Sequence, residues 1–234
     1  MEREILTKAF EDYLKVIYDL SRHTGRVGTN QIAARLNISP PSVTTMLQRM
    51  AANNPPLVDY RKHQGAALTP YGELAALEVI RHHRLLESYL VARLGYSWDT
   101  VHEEACRLEH VISEDFEQRI DSLLGHPQRD PHGEPIPTVE LAMPQEALQP
   151  LSSLQPPQTA KVVRVSAHNP ALLKYLKELG LVPGAVVQVL AVSPFDGNLT
   201  LLVRQAGQAP LVLGHPVTTE IFVEITQNES ALVE

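Results

Sequence analysis

The side chains best suited to bind a transition metal crowd into one short stretch, residues 101–113, VHEEACRLEHVIS. Wound as an α-helix at about 100° per residue, this stretch puts His102, Cys106, Glu109 and His110 within roughly one third of the circumference. Two imidazoles, a thiol and a carboxylate on one stripe are donors for divalent transition ions, and Cys106 is the only cysteine in the chain. Val101, Ala105, Leu108, Val111 and Ile112 gather opposite, as the face for burial. Spacing alone leaves a second reading open: a solvated polar face rich in His and Glu.

Stepping upstream, residues 4–20 read as an amphipathic helix with Leu6, Ala9, Phe10, Tyr13, Ile17 and Leu20 as its stripe and Asp12 at the flank. Residues 29–36 (TNQIAARL) form a short helix with Thr29 as N-cap. Ser39 caps a second helix over 39–54, with Pro40 at the first helical position, where a missing N–H costs nothing. Two short helices joined by a tight turn are a helix-turn-helix. Val43, Met46, Leu47 and Met50 face inward; Ser42, Thr44, Thr45, Gln48 and Arg49 stay outside, types suited to base edges and phosphates. A three-helix packing unit that never meets DNA is the bland alternative. Residues 57–69 argue against it, because they read as a β-hairpin with Arg61 and Lys62 just before a Gln64-Gly65 tip. A basic hairpin directly after the second helix makes a wing that lies along the phosphate backbone.

Thr69-Pro70 opens a long helix over 71–94, with Leu74, Leu77, Leu85, Tyr89 and Leu90 in its buried set and His83 and Glu87 one turn apart on its surface. Ser97 caps the donor-bearing helix, and 114–124 forms one more. Eight of the eighteen prolines fall in 126–158, where apolar periodicity vanishes; the stretch reads as a tether, extended or loosely packed, with Asp130 and His132 as its donor-type side chains. Five short strands follow, at 161–165, 186–192, 199–203, 211–213 and 221–225, interrupted by a helix over 169–179. With turns that include Gly207, they suggest a small barrel, and the tail from Gln227 reads as frayed.

The formal charge of −7 is unevenly spread: residues 1–72 carry +3, leaving −10 for the remainder, and within 26–63 five Lys/Arg face one acid. A phosphate-facing N-terminal module ahead of an acidic body fits that split. No run of about eighteen apolar residues occurs, and Glu2 and Glu4 interrupt the start of the chain; no membrane span and no secretory signal are expected. A lone cysteine forms no internal disulfide, so the expected location is the cytoplasm. The expected class is mainly α with a β wing, plus a small all-β domain.

With the helix-turn-helix, the wing, HHRLLE, VHEEACRLEH and PHGEPIP in view, the chain resembles the diphtheria-toxin-repressor family over nearly its whole length. The resemblance implies a winged helix-turn-helix domain (1–72), a helical dimerisation and metal-binding domain (73–140), a Pro-rich linker (141–158) and an SH3-like domain of the FeoA type (159–228). It implies a primary metal site of Asp12, Cys106, Glu109 and His110, and an ancillary site of His83, Glu87, His102, Asp130 and His132. Asp130 stands where a manganese-responsive branch has a thiol. Asp12 is the manganese-type first-helix ligand and Cys106 the iron-type choice, while Lys15 stands where short-chain manganese regulators carry a Glu. Hard oxygens at Asp12 and Asp130 favour Mn(II), with Fe(II) as alternative and other divalent transition metals able to bind in vitro. At DNA, Pro41, Ser42 and Thr45 are assigned to the groove floor, and Ser39, Thr44, Arg49, Arg61 and Lys62 to phosphates.

The function this implies is a metal-dependent repressor of metal-homeostasis genes, binding a palindromic double-stranded operator as a homodimer. Metal gripped by both Asp12 and the donor-bearing helix would clamp the reading head to the dimer core. Two rival readings stand beside it. A metal-dependent hydrolase needs an open coordination position beside a substrate pocket, and no substrate-binding motif appears. A purely structural metal would make chelation unfold the chain.

Overall fold

In the computed structural model, which describes residues 6–166, 169–204 and 209–226, the chain divides into two compact units. One comprises residues 1–83, 106–119 and 137–143; the other comprises 84–105, 120–136 and 144–234. The Gly207 turn and the tail from Gln227 lie outside the described residues.

The first unit begins with α1 (Lys8–Thr24), which starts later than the pattern of apolar residues because Thr7 is its N-cap and accepts from Phe10 N–H. α2 (Thr29–Leu36) and α3 (Pro40–Ala51) form the helix-turn-helix. The N-cap of α2 is Gly28, one residue before Thr29; its N–H donates to Gln31 Oε1 at 2.9 Å. Ser39 does cap α3, accepting from Ser42 N–H. Leu14, Ile17, Ile32, Val43, Leu47, Met50 and Leu57 fill the core, whereas Ala9 is exposed.

The wing pairs β1 (Val58–Arg61) with β2 (Gly65–Leu68), register Val58↔Leu68 to Arg61↔Gly65. Val27 bridges Ala66 on the other side of β2 and adds one further rung. Gly65 is required there: at φ +89° a Cβ would fall 2.2 Å from the Val27 carbonyl oxygen. Gly65→Ala should therefore pull the wing off Val27 at a cost of about 1–3 kcal/mol. The measurement is thermal melting alongside DNA affinity; an unchanged melt and unchanged affinity would mean that this rung does not hold the wing.

α4 (Pro70–Leu94) is nearly all buried over its middle, but Leu74 is 47 % exposed and leaves the expected core set. α5 (Val101–Leu108) is shorter than the helical pattern predicts, and Glu109 and His110 lie in the turn beyond its end. Val111, expected on the dry face, is 75 % exposed as a result. Ser97 receives Val101 N–H through its backbone oxygen at 3.0 Å, not through a capping hydroxyl. α6 (Glu114–Leu123) follows.

The second unit is built on one six-stranded antiparallel sheet, order β3-β8-β4-β5-β6-β7. Its strands are β3 (Gln149–Pro150), β4 (Thr159–Val165), β5 (Val186–Val192), β6 (Leu199–Val203), β7 (Leu211–Leu213) and β8 (Ile221–Thr226). α7 (Pro170–Glu178), N-capped by Asn169, and the short α8 (His215–Thr218) complete it. The sheet is the SH3-like all-β domain within this unit, and the alternation of Val187, Val189, Leu199, Leu201, Ile221 and Val223 makes its core.

Residues 126–158 are not the loose tether that their composition predicts. Asp130, His132, Ile136, Leu151 and Leu154 are all buried, the last two within the core of the sheet. Gly133, at φ +86°, is pressed so close to strand β4 that a Cβ would meet the Val163 carbonyl oxygen at 1.9 Å. Val165 N–H donates to the His132 carbonyl at 2.9 Å. Backbone pairing with a strand orders the segment where apolar periodicity is missing.

Candidate metal centre

In the first unit, Asp12 from α1 meets Glu109 and His110 from the turn after α5, with one donor atom of each within 4.8 Å of the others. Ending α5 at Leu108 turns the Glu109 side chain inward, where it is fully buried. Lys15 donates to both Glu109 oxygens at 2.7 and 2.6 Å, and His83 Nδ1 lies 2.5 Å from Oε2. Burial works to raise the Glu109 pKa, but the His110 and His83 imidazoles and the Lys15 charge outweigh it and hold the carboxyl well below the usual range.

His110 Nδ1 is anchored at 2.6 Å to Glu11 Oε2. Its Nε2 faces Asp12 Oδ1 and Glu109 Oε1, both at 3.1 Å, without the geometry of a hydrogen bond to either. Burial lowers this pKa, yet the carboxylates of Asp12, Glu109 and Glu11 carry it up to about 11. An imidazole held at one nitrogen, with the other buried and aimed between two carboxylates, is arranged as a metal ligand is. Carboxylate oxygens and an imidazole nitrogen suit Mn(II), Fe(II) and Zn(II) alike, so the residues fit such an ion.

Cys106 does not join that trio directly; its Sγ lies 3.9 Å from His83 Nδ1. His83, expected in the ancillary set, thus stands between Cys106 and Glu109. Sequence reasoning missed Glu11 as the anchor of His110, and its place beside Asp12 was the available signal.

In the second unit Glu87, Asp130 and His132 gather, all buried, with donor atoms within 4.8 Å of one another. His132 Nε2 lies 2.6 Å from the Trp98 carbonyl oxygen and the ring stacks on the indole, centroids 5.6 Å apart. Its Nδ1 is left facing Glu87 Oε2 at 3.4 Å and Asp130 Oδ2 at 4.0 Å, again with no hydrogen bond. Asp130 Oδ1 accepts from the N–H groups of His132 and Glu134 at 2.8 and 2.9 Å, which fixes the loop. Burial first, then the Glu87 charge, pushes the Asp130 carboxyl up to about 7, against the pull of the His132 and Arg84 charges. His102 Nδ1 reaches Glu87 Oε1 at 3.1 Å from a half-exposed position.

The face expected to meet DNA is polar and accessible. Pro41, Ser42, Thr45 and Arg49 on α3 are exposed, and Thr44 is half-buried. The Thr44 and Thr45 hydroxyls donate back to Pro40 and Pro41 carbonyls at 3.2 and 3.1 Å, leaving their lone pairs outward. Ser39 is occupied with Ser42, Oγ to Oγ at 2.8 Å. At the wing tip Lys62 is exposed, while Arg61 is drawn to Asp59 at 3.2 Å. A cleft of about 610 Å³ runs between the start of α2, the outer face of α3 and the wing tip; it includes Gln48 and brings in Asn30, Gln31 and His63, which the sequence had not assigned as DNA contacts.

Residues 5–66 match the iron-dependent repressor N-terminal DNA-binding domain, 69–138 the metal-binding and dimerisation domain of the same repressors, and 149–225 the FeoA domain. This chain belongs to the iron-dependent repressor family. The iron-dependent repressor IdeR of Mycobacterium tuberculosis is 35 % identical over 231 residues, 94 % of this chain and 98 % of that one. The diphtheria toxin repressor of Corynebacterium jeikeium is 30 % identical, over 92 % of this chain and 98 % of that one. Among solved structures, a manganese-dependent transcriptional repressor in complex with manganese has TM-score 0.85 at 37 % identity, covering 93 % of this chain and 100 % of that chain. The repressor ScaR with bound Cd2+ has TM-score 0.77 at 34 % identity, over 92 % and 98 %. Like others of the iron-dependent repressor family, this protein is a metal-dependent DNA-binding transcriptional repressor, not an enzyme, and it carries the family's dimerisation domain. Among the described residues no helix is long and apolar enough to cross a membrane.

Proposed function

We propose that Mn(II), with Fe(II) second, activates this repressor by joining Asp12 to Glu109 and His110, with His83 and Cys106 adjoining, while Glu87, His102, Asp130 and His132 form the ancillary set. The observation that carries the reading is the buried Nε2 of His110, aimed between carboxylates from two separate elements. A divalent ion there supplies a shared positive centre for donors on α1 and on the turn after α5. Asp12 then fixes α1, and α1 packs directly against the helix-turn-helix through Leu14 and Ile17. Lys15 and the His110 proton balance the carboxylates until that point.

The preference for manganese rests on the hard oxygens of Asp12 and Asp130 and on the likeness to a repressor solved with manganese; the likeness to iron-named relatives and the Cys106 thiol keep Fe(II) second. We further infer a homodimer on a palindromic operator of metal-homeostasis genes in the cytoplasm. Its two α3 helices would need a spacing of about 34 Å to enter successive major grooves. Pro41, Ser42 and Thr45 would read bases, and Ser39, Thr44, Arg49, Arg61 and Lys62 would bind phosphates.

The test is DNA affinity with Mn2+, Fe2+, Zn2+ and Co2+ at matched free-ion levels, since raw affinity follows the Irving–Williams order and misleads. Activation by Mn2+ at lower free concentration than Fe2+ is expected. The reverse order would overturn the manganese assignment, and DNA binding indifferent to chelation would overturn the switch.

A further inference from the structure

Among the described residues, three histidines carry a buried ring nitrogen that makes no hydrogen bond: His110, His132 and His82. The first two face the donor groups already described. His82 repeats their arrangement in a place that neither set uses. It is 2 % exposed, and its Nδ1 lies 3.1 Å from the backbone oxygen of Glu109, the kind of outer partner that fixes the ring of a metal-bound histidine.

We propose that Glu78, His82 and Glu114 form a third divalent-cation site, with His82 Nε2 and one oxygen of each glutamate as donors. One donor atom of each lies within 4.8 Å of the others. Glu78 and His82 sit one turn apart on α4, and Glu114 is the first residue of α6. Donors of a single ion with bonds of about 2.1 Å stand about 3–4.2 Å apart, so the three close on an ion by a few tenths of an ångström. Glu114 is largely exposed and gives access from solvent, with water completing the shell. Glu117 Oε2 is also near, 2.9 Å from Nε2, but Arg81 Nε donates to its other oxygen at 2.6 Å. We therefore cast Glu117 as an ion-pairing neighbour of the ring and not as a donor to the ion. One imidazole and two carboxylates suit Mn2+, Fe2+ or Zn2+. Through His82 Nδ1 the site lies one contact from the backbone of Glu109, which binds at the primary centre in the reading above.

The experiment uses the full chain and Mn2+ alone. Crystals soaked in Mn2+ should show an anomalous peak about 2.2 Å from His82 Nε2. By equilibrium dialysis with metal analysis, the Glu78→Gln/Glu114→Gln variant should hold about one ion fewer per chain at saturation, with its metal-free melt unchanged. An unchanged ion count, or soaked crystals with peaks at the other histidines and none at His82, would overturn the proposal and leave a His82–Glu117 ion pair as the role of that ring. Should the variant fail to fold, the wild-type anomalous map decides. The activation reading fails separately, by the absence of a peak at His110.

Discussion

Asp12→Ala should lower metal-stimulated DNA affinity about 100-fold or more while leaving the metal-free fold in place. The asymmetry follows from where Asp12 sits. Its side chain is 38 % exposed and contributes nothing to the core of the DNA-binding unit, which Leu14, Ile17, Leu47 and Met50 fill. In the proposed clamp it supplies the α1 oxygen, which lies 3.1 Å from His110 Nε2. Losing it leaves an ion with Glu109 and His110 but no donor on α1, so ion binding no longer discriminates between orientations of the reading head. A ligand without differential affinity shifts no equilibrium, however tightly it binds. Titrating Mn2+ into both proteins on a labelled operator, with thermal melts without metal, separates the roles. Superimposable titrations would end the idea that α1 is gripped through this residue. A collapsed melt would instead assign Asp12 to the fold.

The reading head was legible because its signals are local. Ser39-Pro40 fixes the start of α3 by capping, and a basic stretch before Gln64-Gly65 marks the wing tip. Strand spans after residue 160 emerged nearly as the alternation predicts. The donor types were legible too, but their environment was not. A helical wheel puts Glu109 on the polar stripe with His102 and Cys106, yet α5 stops at Leu108 and the Glu109 carboxylate is buried among Lys15, His83 and His110. Those partners come from α1, α4 and the next residue in the turn, and no single-helix pattern contains them. The same holds for His132. Its stretch has no apolar period, and its order comes from Trp98 stacking on the ring and from strand β4 pairing with the loop. Contacts between elements distant in sequence decide these environments, which is why spacing gathered the donor types and misjudged their burial.

Lys15→Met should tighten Mn2+ binding about tenfold at pH 7, because the native ammonium occupies the oxygens that an ion at this centre requires. Lys15 Nζ sits 2.6 and 2.7 Å from the two oxygens of a Glu109 side chain that is fully buried. Binding through Glu109 must first move that ammonium away, and methionine keeps the length of the side chain without its charge. The variant should also keep a pH dependence that has a different origin. With its pKa raised to about 11, His110 carries its proton throughout the neutral range in the metal-free protein. The stability this contributes is present in full below the unfolded value of about 6.5 and is lost progressively as pH rises from there toward the folded value, so the metal-free fold should lose stability as pH rises from 6.5 to 8. Coordination at Nε2 must expel the proton, so affinity should rise about tenfold per pH unit for each proton released, in wild type and in Lys15→Met alike. Isothermal titration in buffers of differing ionisation enthalpy reads both quantities at once. Weaker binding by Lys15→Met would show that the ammonium supports the site and does not compete for it. Binding without proton release would remove His110 Nε2 from the ligand set.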